Sequence, residues 1–327
     1  MATYKEIQGE AVVNTSTDIT SEGQVFYNTP GNAFKISTAT PSTGVWATGG
    51  NLTTARYQLG GAGTQTAGLG FGGNPPTSGN NATEEYDGSS WTNGGNLGTA
   101  RRAVEGNGTQ TAGLAVGGHP ARTDTEEYDG SSWTSGGSLS AGRKEGATGG
   151  TQTASFYGTG QVTGGGHPGQ TEEYDGSSWT SGGTMGTGRY GPGGTGTQTA
   201  GLAFGGANNS PYSVYTNTEE YDGSSWTAGG ALGTARYGMA PAQNGTQTAA
   251  LSAGGAPGAT AIIATEGYDG SSWSTLANLG TGTYRLAGAG TQAAGLAFGG
   301  GPAPSVKNTT QEFTGPNVAQ IETIDVT

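Results

Sequence analysis

The sequence predicts an all-β chain that folds as a six-bladed β-propeller with four strands in each blade. Three observations predict it. Six Trp recur about 45 residues apart, which is a period typical of propeller and solenoid repeats. Each repeat holds short alternating segments separated by turn residues. The 327 residues include 68 Gly, which is too many for stable helices but suits tight turns and closely packed strands.

The clearest copy of the repeat runs from Thr83 to Gly118 and divides into four strands. The first strand is TEEYD, because it alternates and carries an aromatic residue, and Asp87-Gly88 predicts the turn after it. SSWT begins the next strand, and GGNLGTA is a connection. RRAVE predicts a third strand, GNGTQ a turn, and TAGLAVGG a fourth strand that ends in paired glycines. Four strands in one repeat correspond to one propeller blade.

The repeated aromatic residues are expected to be structural. A Trp packed between neighbouring blades buries about 150–250 Å². Disordered segments lack such regular aromatics, so the glycine-rich composition does not indicate disorder. The expected structural residues are Trp46, Trp91, Trp133, Trp179, Trp226 and Trp273, with Tyr86, Tyr128, Tyr174, Tyr221 and Tyr268.

The two ends of the repeat array are complementary. Trp46 has no TEEYD phrase before it, whereas the last copy, TTQEFTGPN, has Phe313 in place of Tyr and Asn317 in place of Trp. We therefore expect residues 284–314 to supply three strands of the last blade and residues 44–48 the fourth. Closing the ring in this way leaves no open sheet edge that could recruit other chains.

The order of these residues resembles the Kelch repeat. Paired glycines close one strand, Tyr lies in the next and Trp in the one after, as in Gly117-Gly118, Tyr128 and Trp133. The resemblance covers nearly the whole chain from about residue 45, and it implies a Kelch-type propeller. Two departures stand out: the Tyr-to-Trp spacing is shorter than in most Kelch repeats, and Thr159-Gly160 replaces one glycine pair.

Composition restricts the partners. The formal net charge is −12 with only 12 Lys and Arg, which disfavours both nucleic acid and an anionic membrane surface. The absence of Cys excludes disulfides, thiolate metal sites and cysteine nucleophiles. No run approaches the length of a membrane helix, and the first residues do not resemble a secretory signal. We expect no cofactor.

The segment between the paired glycines and TEEYD differs in length and chemistry in every copy, whereas the rest of the repeat is nearly constant. In a propeller these six links emerge on one face, around the mouth of the central channel. Six unlike loops on a rigid frame are typical of a binding surface, although exposed loops also vary when nothing constrains them. The candidate binding residues are Asn74, Pro75, His119, Arg122, His167, Asn208, Asn209, Tyr212, Tyr215, Ile262 and Lys307.

Catalytic chemistry is disfavoured. The acidic pairs such as Glu84-Glu85 occur once per blade, whereas a glycosidase needs two carboxylates in one cleft. We expect these pairs to lie on solvated strands and to form weak exposed ion pairs with a repeated Arg. The phrase DGSSW also resembles the Asp-box of sialidase propellers but is one residue shorter, and the aspartates are expected to cap their own turns. His119 and His167 could share a metal, yet no third ligand is evident.

The predicted organisation has three parts: an attachment segment at 1–43, a propeller at 44–317 and a tail strand at 318–327. Gly23 to Ile36 predicts a short hairpin with a Pro-Gly turn. This stretch and the TEEYDGSSW phrases resemble virion structural proteins of marine bacteriophages, such as tail-fibre proteins. That resemblance implies a virion protein, present in several copies on the particle. Such a protein would bind other virion proteins through residues 1–43 and a host glycan or protein through the loops. The alternative is a free carbohydrate-binding or carbohydrate-active (sialidase-like) propeller. A third possibility is a scaffold with no ligand, whose outer surfaces only join neighbouring subunits.

Overall fold

The computed structural model describes residues 43–75, 79–209, 211–301 and 305–316 with their side chains, and four further strands by their backbone. Most of the expected attachment segment, most of the expected tail and Asn317 lie outside the described residues. The chain divides into two compact units, 45–314 and the two ends, 1–44 with 315–327. Every regular element among the described residues is a strand. None of the described segments forms a helix with the length and apolar character that a membrane span requires.

The unit made from the two chain ends contains one four-stranded sheet. Its second and third strands pair antiparallel and fall where the sequence predicts a hairpin. The first strand pairs parallel with the second, and the C-terminal strand pairs antiparallel with the third. In sheet order, the strands are β1 (Val13–Thr15), β2 (Val25–Asn28), β3 (Ala33–Thr38) and β32 (Gln320–Thr323).

The larger unit is a six-bladed β-propeller, as the sequence predicts, and each blade is a four-stranded antiparallel sheet. The first strand of each blade lies at the channel, and the following strands lie progressively further out. The first blade contains β5 (Gly60–Gly63), β6 (Gly68–Phe71), β7 (Thr83–Tyr86) and β8 (Trp91–Asn93). The second contains β9 (Glu105–Thr109), β10 (Ala112–Val116), β11 (Thr125–Tyr128) and β12 (Trp133–Ser135). The third contains β14 (Ala147–Thr151), β15 (Ala154–Gly158), β17 (Thr171–Tyr174) and β18 (Trp179–Ser181).

The last three blades follow the same order. They contain β19 (Gly193–Thr197), β20 (Ala200–Phe204), β23 (Thr218–Tyr221) and β24 (Trp226–Ala228); β25 (Ala240–Pro241), β26 (Ala250–Ala253), β27 (Thr265–Tyr268) and β28 (Trp273–Leu276); and β29 (Ala287–Gly290), β30 (Ala294–Phe298), β31 (Thr310–Thr314) and β4 (Val45–Thr48). Two short pairs decorate the loops: β13 (Arg143–Lys144) with β16 (Gln161–Val162), and β21 (Ala207–Asn209) with β22 (Tyr212–Val214).

The ring closes as predicted. Strand β4 pairs antiparallel with β31, and the register places Trp46 opposite Phe313. The innermost strands contact one another in sequence around the channel, and β29 contacts β5 to complete the circle. Glycine permits this close approach: a Cβ on Gly61 would lie 2.5 Å from the carbonyl oxygen of Gly288, and a Cβ on Gly288 would lie 2.0 Å from that of Pro241.

The predicted position of the innermost strand is wrong. The sequence predicts a strand at RRAVE and a turn at GNGTQ, whereas β9 covers Glu105–Thr109 and the turn follows it. Arg102 instead forms an isolated bridge to His119 on the loop side of the blade. The glycine-rich segment is extended because neighbouring innermost strands and β10 pack against it, which overrides its turn-like composition.

Three kinds of hydrogen bond recur at the seams between each blade and the one before it, two of them at all six seams. Each Trp indole N–H donates to a Thr hydroxyl of the preceding blade; for example, Trp133 Nε1 lies 2.9 Å from Thr83 Oγ1. All six Trp follow this rule, including Trp46 across the closure to Thr265. A Gln in each inner turn donates to two carbonyl oxygens of the preceding blade, as Gln110 does to Gly68 and Tyr86. The third bond, from Tyr to Glu, is present at five of the six seams.

The first Glu of each acidic pair is buried, which contradicts the expectation of solvated strands, whereas the second Glu is partly buried. The first Glu of each pair is buried and forms an ion pair with the repeated Arg, which is also buried; Arg56 and Glu84 are 0% and 1% exposed and lie 2.7 Å apart. The second Glu accepts the hydroxyl hydrogen bond of the next blade's Tyr, as Glu127 does from Tyr174 at 2.6 Å. The first Glu of each pair thus has a buried positive charge as its partner, and the second has a hydroxyl donor across the blade seam. The corresponding ion pairs in the next four blades are Arg101–Glu126, Arg143–Glu172, Arg189–Glu219 and Arg236–Glu266.

Candidate functional site at the channel mouth

The six variable links lie beside the six blade-to-blade connections. In every blade the residue after the repeated Arg position pairs with the start of a variable link, for example Tyr57 with Asn74 and Arg102 with His119. The third blade does so through β13 and β16. We call this surface, which is formed by the variable links and the connections, the loop face.

A closed ring of six backbone hydrogen bonds surrounds the channel at the loop face. Each connection donates one N–H to the carbonyl oxygen of the previous connection, over distances of 2.6 to 3.4 Å. The ring residues all adopt positive φ; they are Gln58, Ala103, Glu145, Gly191, Gly238 and Arg285. Four of them are not glycine, so the repeat holds side chains in a conformation that is normally disfavoured, at the centre of this face.

A polar cavity of about 260 Å³ opens at this ring. Two of the candidate residues, His119 and Asn209, line it. The sequence analysis missed the other lining side chains because they belong to the constant part of the repeat or begin a link. Those residues are Tyr57, Gln58, Arg102, Ala103, Lys144, Glu145, Gln161, Tyr190 and Arg285.

Two further candidates contact the lining residues. Asn74 Nδ2 donates to the Tyr57 hydroxyl at 2.6 Å. The His167 ring packs against Tyr190 with centroids 5.1 Å apart. His167 also lies 3.5 Å from Asn209 Nδ2. These residues connect the cavity to three of the variable links.

The other candidates do not line the cavity. Arg122 forms an ion pair with Asp124, and Lys307 donates to the carbonyl oxygen of Gly282 at 2.8 Å. Tyr212 is 55% exposed on β22. Pro75, Asn208, Tyr215 and Ile262 are partly buried within their links. These residues surround the mouth without converging on one point.

The lining has a positive character. Arg102, Lys144 and Arg285 line the cavity together with one carboxylate, Glu145, which accepts a hydrogen bond from Gln58. The pKa of His119 is lowered by its partial burial and by the charges of Arg102 and Lys144, which favours the neutral imidazole. Within the described part of the chain, Arg285 Nε is buried and has no hydrogen-bond partner.

The channel continues past the ring as a narrower space of about 60 Å³. Glu105 lines it at the start of β9. Burial, followed by the neighbouring charge of Glu145, raises the pKa of Glu105 to about 8. Gln243 also lines this space, and its buried Oε1 has no partner among the described residues. The channel wall therefore carries a carboxyl group that is mostly protonated at neutral pH.

The described residues contain no cluster of three or more His, Asp or Glu side chains that could hold a metal ion. The two histidines have separate partners: His119 lies 3.3 Å from Lys144 Nζ, and His167 lies 3.3 Å from Gln161 Nε2. The turn aspartates cap their own turns as predicted, since Asp87 accepts the backbone N–H groups of Ser89 and Ser90. These bonds lower the pKa of Asp87 to about 2, and the Ser90 backbone makes the largest contribution.

Comparisons with known proteins support the fold and nothing narrower. No protein-family model matches the chain, and no curated protein matches it. Among matching solved structures is one titled "Structure of YjhT", a β-propeller, with a TM-score of 0.67 and 12% sequence identity. The match covers 84% of this chain and 99% of that one. At this level of identity the likeness establishes a β-propeller.

Proposed function

We propose that this chain is a non-enzymatic virion structural protein that displays a rigid propeller for attachment or host-surface recognition. The observation that carries the proposal is the contrast within each repeat. The blade seams use the same hydrogen bonds around the ring, whereas the six links beside the channel mouth all differ. A rigid frame that presents unlike loops on one face is suited to recognition.

The use of the repeated carboxylates supports a role without catalysis. The first Glu of each pair is held by a buried Arg, and the second accepts a Tyr hydroxyl. These groups stabilise blade seams that are spread around the ring. Acid–base hydrolysis of a glycoside requires two carboxylates in one cleft, and the repeated carboxylates do not converge in this way.

The setting rests on resemblance. The Tyr, Trp and paired-glycine order resembles Kelch repeats, and the N-terminal stretch and TEEYDGSSW phrases resemble marine bacteriophage virion proteins. We therefore propose that residues 1–43 attach the chain to other virion proteins, that several copies are present on the particle, and that the loop face meets a host glycan or protein.

A truncation tests the attachment role. A chain that lacks residues 1–43 keeps β4, which completes the sixth blade. We expect the truncated chain to keep its thermal unfolding transition but to be absent from purified particles. Normal incorporation of folded, truncated protein would contradict attachment through this segment.

A loop exchange tests recognition separately. Replacing the six variable links with one uniform Gly-Ser segment is expected to leave the chain in the particle and to reduce adsorption to host cells. Unchanged adsorption would mean that the links only connect strands within each blade.

The polar cavity favours a second candidate, a free carbohydrate-binding or carbohydrate-active propeller. A cavity of about 260 Å³ lined by Tyr, Arg, Lys, Gln and Asn side chains offers the donors that a sugar requires. A glycan array and a hydrolysis assay on the purified chain distinguish the two functions. Turnover that depends on one carboxylate would overturn the non-enzymatic proposal.

A further inference from the structure

Most cations of the described propeller are already engaged. The five repeated Arg residues are buried against Glu partners, Arg122 pairs with Asp124, and Lys307 donates to a backbone carbonyl. The remaining three, Arg102, Lys144 and Arg285, line the mouth cavity, and the described residues give none of them a carboxylate within ion-pair distance. Three of the ten Lys and Arg side chains that the structure describes therefore line one cavity without a carboxylate partner, in a chain with a formal charge of −12.

The fold does not require these cations. The residue after the repeated Arg position is Tyr in four blades, namely Tyr57, Tyr190, Tyr237 and Tyr284, whereas it is Arg102 in the second blade and Lys144 in the third. The ring position is likewise free to vary, since Gln58 and Arg285 occupy it with φ of 55° and 56°. The same backbone accepts neutral residues at all three positions. The one carboxylate among the described residues that line the cavity, Glu145, accepts a hydrogen bond from Gln58 and forms no ion pair with the three cations, so ion pairing does not explain them.

The cavity also suits a sugar ring better than a bare ion. Tyr57 and Tyr190 contribute amphipathic aromatic surface, and Gln161 and Asn209 contribute amide groups that can donate to and accept from hydroxyls. The volume of about 260 Å³ is near the lower end for small-molecule sites, which fits one terminal residue of a glycan.

We propose that the mouth cavity binds the carboxylate-bearing terminal sugar of an acidic glycan. Arg102, Lys144 and Arg285 bind the carboxylate, because charge-assisted hydrogen bonds to a carboxylate are the strongest that these side chains make. The Tyr and amide side chains bind the ring and its hydroxyls. This inference rests on the proposed recognition role of the loop face, and it names the chemistry that the face recognises.

The test is calorimetric titration of the full-length chain with matched acidic and neutral sugars. The probes are glucuronate and galacturonate, with glucose and galactose as neutral counterparts, and acetate and sulfate as anions without a sugar ring. We expect the two uronates to bind, the neutral sugars to bind at least about tenfold more weakly, and binding to weaken as salt increases.

The variants use residues that the repeat already places in these positions. Arg102→Tyr and Lys144→Tyr copy the other blades, and Arg285→Gln copies Gln58. Each substitution is expected to raise the Kd for glucuronate about tenfold or more. Lys35→Gln is the matched control, since it removes one cation from β3 in the other compact unit, and it should leave the Kd unchanged. Unchanged thermal unfolding shows that each variant is folded.

Four outcomes overturn the inference. The uronates do not bind; glucose binds as tightly as glucuronate; or acetate or sulfate binds as tightly as glucuronate. The fourth is that a folded variant carrying Arg102→Tyr, Lys144→Tyr and Arg285→Gln together binds glucuronate like the parent chain. These outcomes are independent of particle incorporation. If the chain enters particles through residues 1–43 but does not bind uronates, only this inference is contradicted. If it binds uronates but is absent from virions, only the virion setting is contradicted.

Discussion

The blade seams and the channel mouth are built from the same repeats but follow opposite rules. At the seams the Trp-to-Thr bond and the Gln clamp recur at all six interfaces. At the mouth the ring position holds Gln58, Ala103, Glu145, Gly191, Gly238 and Arg285, so five different residue types share one backbone conformation. The seams hold the ring together, which leaves the mouth free to vary without loss of the fold.

One seam shows how strictly the partners are matched. Between the fifth and sixth blades the Tyr-to-Glu bond is absent, and both partners change together: Gly267 replaces Glu and Phe313 replaces Tyr. Leu276 and Phe313 pack there in one apolar cluster. In the sixth blade Thr283 also replaces the repeated Arg while Gln311 replaces its Glu. Donor and acceptor disappear as pairs, as expected where an unpaired buried group is costly.

The largest effect is expected from unpairing a buried ion pair. Glu84→Gln keeps the shape of the side chain but leaves the Arg56 guanidinium buried without a counter-charge, and the expected cost is about 3–5 kcal/mol of unfolding free energy. The reverse change in the sixth blade, Gln311→Glu, places a carboxylate in a blade where Thr283 occupies the repeated Arg position, and it should also destabilise. Chemical denaturation of both variants measures these losses.

The double variant Arg56→Met with Glu84→Gln provides the control. The double variant should lose less unfolding free energy than Arg56→Met and Glu84→Gln lose in sum, because it leaves no unpaired charge buried. Strict additivity would mean that the two side chains do not interact, and a neutral Gln311→Glu would show that this site is not sensitive to charge.

The second effect concerns the channel wall. The pKa of Glu105 is raised from 4.5 to about 8 by burial and by Glu145, so the folded chain keeps a proton that the unfolded chain loses. The contribution of Glu105 to the unfolding free energy is therefore most favourable below about pH 4.5. It falls as the pH rises towards about 8 and is constant above that. Glu105→Ala, which copies Ala147 in the next blade, should stabilise the chain most at pH 8–9.

Thermal unfolding of Glu105→Ala and the parent chain across pH 5 to 9 measures this difference. The gain should shrink towards pH 5, and the same gain at every pH would argue against a protonated carboxyl in the channel. Glu85→Ala is an informative comparison, because that carboxylate accepts a hydrogen bond from Tyr128 and its removal should destabilise.

The third effect tests the seam bond that the last interface omits. Tyr221→Phe removes the hydroxyl that donates to Glu173 and accepts from the Gly183 backbone, and it should cost about 1–3 kcal/mol. Phe313→Tyr adds a hydroxyl where Gly267 offers no carboxylate, so it should bring no gain. Denaturant midpoints of the two variants give the comparison, and stabilisation by Phe313→Tyr would refute the matching rule.

The ring was predictable because its signals are local and repeated. The indole period, the TEEYDGSSW phrase and the unequal chain ends were enough to place β4 against β31. The innermost strands were not predictable in this way. GNGT has the composition of a turn, and it forms β9 only because neighbouring strands of the ring pack against it. Charged residues in a short segment predict exposed side chains, and only the packing at the blade seams shows that Arg56 and Glu84 are buried together.

A signal for these features was nevertheless present in the sequence. The paired replacements in the sixth copy, Thr283 with Gln311, identify interacting partners. The mouth was harder to predict, because Arg102 and Lys144 lie in the constant part of the repeat and not in the variable links. Comparing that one column across the copies, where four have Tyr, is what singles them out.

The smallest effect is expected at the exposed turns that follow the third strands of the blades. The backbone N–H groups of Ser90 and Ser89 stabilise the Asp87 carboxylate, and they lower its pKa from 3.8 to about 2. The stability this group contributes is therefore present above about pH 4 and is lost as the pH falls towards 2. Asp87→Asn should lower the melting temperature slightly at pH 7, and the difference should close between pH 4 and pH 2. A difference that persists at low pH would show that the turn depends on the shape of the side chain and not on its charge.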